Sequence, residues 1–148
     1  MKPIKMVDLA GQNLRIKKEM DQAIASVVSS GDFIQGQAVR EFELALSDHL
    51  GGTKVISCGN GTDALQIAMM ALDFKAGDGV ILPAFNYVST AEVIALLNLV
   101  PVFADVDPQT FTMDILNLEK LITKKTVAIV PVHLYGQCAD MESILDIA

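Results

Sequence analysis

The stretch "SCGNGTDALQIAMMALD", Ser57 to Asp73, decides how the rest of the sequence is interpreted. Its two glycines, 59 and 61, lie between a short β-rich run and a long apolar run, which predicts a strand, a tight turn and a helix. The helix predicted over Asp63–Leu72 is apolar nearly all round, so we expect burial on two sides, by a sheet and by another layer or subunit. The turn either holds an anion at the helix N-terminus or only caps a buried helix.

Beyond this stretch, short β-rich runs alternate with helical runs. That alternation is typical of βαβ crossovers and predicts an α/β fold with αβα layers and a mostly parallel sheet. Four strands and an uncapped last helix make a small doubly wound sheet, so we expect the N-terminal, truncated part of a larger domain. The predicted strands are Lys54–Cys58, Val80–Pro83, Val100–Val106 and Val127–Val132, and the later helices are Val88–Leu97, Ile115–Ile122 and one starting near Asp140.

Residues 1–52 form a helical segment in this interpretation, and residues 53–148 form the βαβ units. Apolar residues recur at helical spacing over Asn13–Ser30 and Val39–Leu50, and glycines follow both runs. The loop Ser30–Gln37 between them carries two apolar residues, Phe33 and Ile34. We therefore expect two helices joined by a loop with an apolar tip.

Composition excludes several classes of protein. The net charge of −7 and the absence of a block of Lys or Arg argue against a nucleic-acid partner. The run Val93–Ala104 is too short to span a bilayer, and the first residues contain no apolar signal segment. Cys58 and Cys138 belong to no cluster of metal-binding spacing, so we expect free thiols, a cytoplasmic protein, and neither a metal nor a membrane.

The sequence contains short motifs typical of two classes of ligand site, but the residues around each motif do not fit that class. Gly59–Ala64 satisfies G-x-G-x-x-A after a strand, but the next strand ends in Pro83–Phe85 where a dinucleotide site has an acid. Asp105 and Asp107 form the D-x-D of a metal-dependent glycosyltransferase. Because Asp107 is followed by Pro108, a solvated turn is the stronger interpretation of that pair.

A single-phosphate site fits the turn better. The backbone N–H groups of Gly61 and Thr62, together with the Thr62 hydroxyl, would bind one phosphate at the helix N-terminus. The next strand brings Tyr87 to the same edge of the sheet, which suits a phosphorylated planar ring. The alternative is that Asn60 or Thr62 only caps the helix while Tyr87 fills the core. The residues by themselves leave these two interpretations open.

Four motifs, in this order, resemble those of the DegT/DnrJ/StrS family of pyridoxal-phosphate (PLP) aminotransferases of nucleotide-sugar biosynthesis. They are "NGTDALQIA", "PAFNYVSTAEVI", "VFADVDPQTFTMD" and "VPVHLYGQCADM", and the opening "VDLAGQNLRIKKEMDQAI" is similar too. The resemblance covers essentially the whole chain and is strongest to enzymes that aminate a 3-keto UDP-sugar acid. It implies an aspartate-aminotransferase-like, fold-type-I large domain, of which residues 1–148 are the N-terminal part, and a homodimer.

The resemblance also implies roles for particular residues. Gly61 and Thr62 would hold the PLP phosphate, and Tyr87 would stack on the pyridine ring. Phe33 and Ile34 would belong to a loop on the substrate side.

Three further residues, Asn60, His133 and Gln137, would lie near the cofactor without an assigned catalytic role. For His133 a structural role is the expected one. The sequence departs from the family pattern at Gly79, where an acid is usual, and at Gln35, where an aliphatic residue is common.

The function implied is transfer of an amino group from an amino acid, glutamate by expectation, to a keto nucleotide-sugar. The family's acid partner of the pyridine nitrogen and its Schiff-base lysine have no counterpart among these 148 residues. Lys54, Lys124 and Lys125 are not at a matching position. We therefore expect no catalytic residue in this stretch and no turnover by it alone. The alternatives are a non-catalytic or regulatory remnant of the fold, and a lysine-less sugar dehydratase.

Overall fold

Three parallel strands form the only sheet in the part of the chain that the computed structural model describes, residue 4 and residues 7–148. The strands are β1 (Gly79–Pro83), β2 (Val100–Ala104) and β3 (Thr126–Ile129), in the order β2-β1-β3. In the pairing of β1 with β2, Gly79 lies opposite Val100 and the register continues without a break to Pro83 opposite Ala104. The pairing of β1 with β3 contains a register shift between Gly79 and Val80. The central strand β1 is buried along its whole length, as expected for a parallel sheet covered on both faces.

The described residues form six α-helices, and each predicted helix is confirmed within a few residues. The crossover from β1 to β2 contains α4, and the crossover from β2 to β3 contains α5. Gly31, at φ +70°, ends α1, and its N–H donates to the carbonyl of Val27 at 3.1 Å. The helices are α1 (Leu9–Ser30), α2 (Gln37–His49), α3 (Gly61–Ala71), α4 (Ser89–Leu96), α5 (Ile115–Leu121) and α6 (Met141–Ile147).

The sheet separates two apolar clusters, which makes a three-layer αβα arrangement. Val80 and Leu82 pack on one face with Met69 of α3 and with Val93 and Ile94 of α4. Ile81, between them in β1, points to the other face and packs with Leu118 of α5 and Ile144 of α6. Neighbouring residues of a strand face opposite sides, so one short strand supplies both clusters.

The predicted strand Lys54–Cys58 is not a strand in the structure. Its residues pair with none of the three strands, and the N–H of Ser57 donates instead to Oε1 of Glu43 at 2.9 Å. A β-rich composition creates only the propensity for a strand, whereas the strand itself needs a neighbour for its ladder hydrogen bonds.

The chain divides into two compact units, one up to Ser57 and one from Cys58 onwards. The first contains α1 and α2, and neither helix has a buried residue. In the second, α3 is buried on one side only, through Met69, while Ile67 and Met70 on the helix and Leu72 directly after it are exposed. The layer or subunit expected over the other side of α3 is thus not supplied by the described residues.

β2 ends at Ala104 and β3 at Ile129, so both are shorter than predicted, although the N–H of Val130 still donates to the carbonyl of Ile81 at 2.8 Å. Val106 forms an isolated antiparallel bridge with Met113 instead of extending β2.

None of the helices described here combines the length and the apolar character needed to cross a membrane.

Candidate functional site

A cavity of about 570 Å³ lies where the N-terminus of α3 meets the carboxyl ends of β1 and β3. Ligands of open α/β sheets bind at this edge. The cavity is lined by five of the residues singled out in the sequence, namely Asn60, Gly61, Thr62, Tyr87 and His133. The structure therefore brings together residues that lie more than seventy positions apart in the chain.

Asn60 organises the N-terminus of α3. Its Oδ1 accepts the N–H of Asp63 at 3.0 Å, and its Nδ2 donates to Oδ2 of Asp63 at 3.0 Å. Asn60 is thus the N-cap, as one of the two open interpretations held.

The Asn60 cap leaves two backbone N–H donors of the first turn of α3 without a partner. The N–H groups of Gly61 and Thr62 have no hydrogen-bond partner among the described residues. A Cβ built on Gly61 would meet no atom within 4 Å, so there is open space beside the backbone. Free N–H groups at the positive end of a helix, next to open space, fit an anionic oxygen such as that of a phosphate.

Tyr87 does not fill the core. Its side chain is 78 % exposed, and it lies between the end of β1 and the start of α4 at the wall of the cavity. The interpretation of Tyr87 as a core residue is therefore wrong within this chain. An exposed aromatic ring beside free N–H donors is suited to stacking on a planar ligand.

His133 follows β3, and its ring is tied to the backbone. Nδ1 of His133 accepts the N–H of Ala139 at 3.1 Å. The structural role expected for this histidine is thus present, and His133 is also one of the residues that line the cavity.

The cavity wall carries no charged side chain among the described residues, in a chain whose net charge is −7. Sequence reasoning missed Asn86, Ser89 and Thr90, which also line it. Nδ2 of Asn86 is buried without a hydrogen-bond partner in the described structure. The only signal for these residues was their position around Tyr87 in "FNYVST". A neutral wall rich in donors favours an anionic ligand over a cationic one.

Three of the predicted residues lie elsewhere. Gln137 lines a separate cavity of about 440 Å³, together with Asp107, Asp114 and Asp140. Phe33 and Ile34 belong to the first unit and are 64 % and 90 % exposed.

Asp107 is a turn residue, as the stronger interpretation of the D-x-D pair held. Its Oδ1 accepts the N–H groups of Gln109 and Thr110 at 2.8 and 2.9 Å. These hydrogen bonds, that from Thr110 first, lower the pKa of the Asp107 carboxyl. No group of three or more metal-binding side chains occurs in the described part of the chain.

Comparison with known proteins places this chain in a family. Residues 14–148 match the DegT/DnrJ/EryC1/StrS aminotransferase family. The chain is 50 % identical over 145 residues to the UDP-2-acetamido-2-deoxy-3-oxo-D-glucuronate aminotransferase of Pseudomonas aeruginosa, covering 98 % of this chain and 40 % of that protein.

Solved structures agree with this match. A DegT DnrJ EryC1 StrS aminotransferase from Brucella abortus is similar with a TM-score of 0.90 at 40 % identity, over 99 % of this chain and 41 % of that one. NtdA from Bacillus subtilis, solved with bound cofactor PMP, is similar with a TM-score of 0.83 at 37 % identity, over 88 % of this chain and 30 % of that one.

The chain spans about 40 % of the length of the curated relative described above. The expected fold, part of a fold-type-I aminotransferase domain with a parallel sheet, is confirmed by these structures. The chain belongs to the DegT/DnrJ/EryC1/StrS aminotransferase family.

Proposed function

We propose that the cavity at the N-terminus of α3 binds pyridoxal 5'-phosphate. The observation that carries this proposal is the pair of unpartnered N–H groups at Gly61 and Thr62, two residues that line the same cavity as the exposed Tyr87. One feature suits a phosphate and the other suits an aromatic ring. The similar structure solved with PMP, the aminated form of this cofactor, supports the assignment.

Each residue has a separate task in this proposal. Gly61 and Thr62 donate their N–H groups to the phosphate, and the Thr62 hydroxyl adds a third donor. Asn60 holds the first turn of α3 so that these donors keep their direction. Tyr87 covers one face of the ring and excludes water from it. When bound, PLP supplies the electron sink that amino-group transfer needs.

For the full-length protein we propose transfer of an amino group from an amino acid, such as glutamate, to a keto group of a nucleotide-linked sugar. A UDP-linked 3-keto sugar acid is the proposed acceptor, because the 50 %-identical relative from Pseudomonas aeruginosa is named for such a substrate. Phe33 and Ile34, on an exposed loop, are the proposed substrate-side residues.

Residues 1–148 are, in this proposal, the N-terminal part of the PLP-binding large domain, and other residues supply the Schiff-base lysine. The stretch by itself would then bind cofactor weakly and not sustain catalysis. Sustained transaminase turnover by residues 1–148 alone would contradict this assignment.

A homodimer in the cytoplasm completes the proposal. The exposed apolar side chains of Ile67 and Met70 on α3, and of Leu72 directly after it, support a partner subunit on this helix. The two cysteines are free thiols, which suits a reducing compartment. Analytical ultracentrifugation of the full-length protein should therefore give twice the mass of one chain.

The cofactor assignment is tested by substituting both cradle residues in the full-length protein. Gly61→Ala adds a methyl group to open space, so the fold should be kept while the space for a phosphate oxygen is reduced. Combined with Thr62→Ala, which removes the hydroxyl donor while both backbone N–H groups remain, it should weaken PLP binding by at least about 10-fold, the effect of one lost charge-assisted hydrogen bond and of a methyl group in the space for the phosphate. Cofactor binding is measured from the absorbance and fluorescence of PLP during titration.

Thr53→Ala serves as the matched control, since Thr53 lies in the first unit and bonds only to the carbonyl of Leu50. It should bind PLP as the unsubstituted protein does. If the Gly61→Ala, Thr62→Ala protein retains PLP as tightly as the control, the cradle is wrongly placed. The substrate assignment is tested separately, by mass-spectrometric detection of an aminated product from a UDP-linked 3-keto sugar acid and glutamate.

A further inference from the structure

The two ring nitrogens of His133 have different surroundings. On one side, Nδ1 accepts the N–H of Ala139 at 3.1 Å. On the other side, His133 is one of the residues that line the cavity, together with Gly61, Thr62 and Tyr87. Nε2, the nitrogen away from Ala139, has no hydrogen-bond partner among the described residues.

The bond to Ala139 determines where the ring carries its proton. An N–H group can donate only to a nitrogen that has no hydrogen of its own. In a neutral imidazole whose Nδ1 accepts a hydrogen bond, the proton therefore lies on Nε2. His133 in this state offers a donor at Nε2 and cannot accept a proton there.

The orientation of the ring is anchored in the core. Ala139 is 4 % exposed and packs in the apolar cluster with Ile81, Leu118 and Ile144. The backbone between His133 and Ala139 makes a tight turn, in which Tyr135 and Gly136 have φ values of +54° and +84°. A left-handed conformation is unfavourable for tyrosine, and the turn contains a hydrogen bond from the N–H of Gln137 to the carbonyl of Leu134 at 3.0 Å as well as the one from Ala139 to His133.

We infer that His133 is a positioning residue, held as the Nε2–H tautomer by the N–H of Ala139, that gives the cavity a fixed neutral hydrogen-bond donor for the cofactor. The inference rests on the proposed binding of PLP. It adds a donor from the end of β3 to those at the N-terminus of α3, in a cavity whose described wall contains no charged side chain. It also assigns His133 no role as a general base, because the nitrogen that could accept a proton is occupied.

Two substitutions in the full-length protein test the acceptor at Nδ1 and the donor at Nε2 separately. In His133→Asn the amide oxygen can replace Nδ1 as the acceptor for Ala139, while the donor at the Nε2 position is lost. In His133→Gln the longer amide can reach the Nε2 position as a donor, while the acceptor for Ala139 is lost. His49→Asn, a substitution on α2 in the other unit, is the control.

Three measurements read out these variants. The ¹⁵N shifts of the imidazole report the tautomer without any cofactor, and the signal that disappears in His133→Asn identifies His133. Hydrogen exchange of the Ala139 amide reports the structural bond. Titration with PLP reports the donor.

We expect the Nε2–H tautomer in the unsubstituted protein. His133→Asn should keep Ala139 protected and lose PLP affinity by about 10-fold, the effect of one hydrogen bond. His133→Gln should expose Ala139 to exchange at least several-fold faster and keep more of the PLP affinity than His133→Asn does.

Two results would overturn the inference. One is an Nδ1–H tautomer or a mixture of both, and the other is unchanged PLP affinity in His133→Asn with Ala139 still protected. Failure of the unsubstituted protein to bind PLP would instead overturn the proposed function, and the donor role with it. The tautomer and exchange measurements do not depend on PLP, so the two failures can be told apart.

Discussion

The two units of the chain differ in how far their apolar side chains are buried. α1 is 22 residues long and buries none of them, whereas β1 is five residues long and buries all five. Both segments carry the apolar pattern of their own secondary structure. The difference teaches that a periodic pattern identifies the apolar face of an element but does not supply the surface that covers it.

The largest effect expected from this difference is in the core of the second unit. Ile81 is 0 % exposed between α5, α6 and the neighbouring strands, so Ile81→Ala should lower the free energy of unfolding by about 2–5 kcal/mol. Ile24 on α1 is 57 % exposed, and Ile24→Ala should change it by less than about 0.5 kcal/mol. Urea denaturation of both variants measures the contrast.

Equal losses of unfolding free energy in Ile81→Ala and Ile24→Ala would contradict this comparison. They would mean that the apolar face of α1 is covered in the full-length protein by residues other than those described, or by a second subunit.

A smaller effect is expected at the N-cap of α3. Asn60→Ala removes the acceptor for the N–H of Asp63, which should cost about 1 kcal/mol of unfolding free energy. Asn60→Ser keeps a short acceptor at the same position and should retain most of the stability. A serine variant as unstable as the alanine variant would show that the bond from Nδ2 to the Asp63 carboxylate matters more than the cap.

The pH dependence of stability should contain a contribution from Asp107. Its pKa is lowered in the folded chain by hydrogen bonds from the N–H groups of Thr110 and Gln109. A lowered pKa stabilises the fold fully above the ordinary value of about 3.9, and this stabilisation is lost as the pH falls through the lowered value. Asp107→Asn should therefore flatten the fall of stability below about pH 4.

Denaturation midpoints between pH 2 and pH 7, on the order of the range over which carboxyls titrate, measure this slope. Asp146→Asn is the control, since no hydrogen bond to the Asp146 side chain is found in the described structure. A control with the same flattening would remove the assignment to Asp107.

The smallest effect belongs to the surface of α1. Nζ of Lys17 and Oδ2 of Asp21 are 2.6 Å apart, but both side chains are more than half exposed. Lys17→Ala should change stability by no more than about 0.5 kcal/mol, and less at high salt. Thermal unfolding at low and high ionic strength checks this, and a loss comparable to that of Asn60→Ala would mean that the first unit is more cooperative than its exposure indicates.

Much of the fold could be predicted because its signals are local. Helix boundaries depend on caps and glycines within a few residues, as Gly31 and Asn60 show. The strands β1, β2 and β3 were predicted for the same reason, since each is an apolar run between helices. Lys54–Cys58 was predicted wrongly, because forming a strand requires a neighbouring strand that the run itself does not specify.

The candidate site was predictable to a different degree at each residue. Gly61 and Thr62 follow from the glycine turn, which places them at a helix N-terminus whatever surrounds it. Gln137 could not be placed, because the turn after His133 directs the chain to a different cavity. Asn86 could not be recognised either, since its buried and unpartnered Nδ2 depends on the packing around it.

The sequence by itself determined the described helices, the three apolar runs that become β1, β2 and β3, and the turn that leaves two N–H groups free at Gly61 and Thr62. These features arise from interactions between residues a few positions apart, which the order of side chains fully specifies. Only the tertiary structure decided that Tyr87 is exposed, that His133 shares its cavity and that its ring is tied to Ala139. Those features depend on how distant strands pair and which faces are covered, and that is settled by packing across the whole sheet.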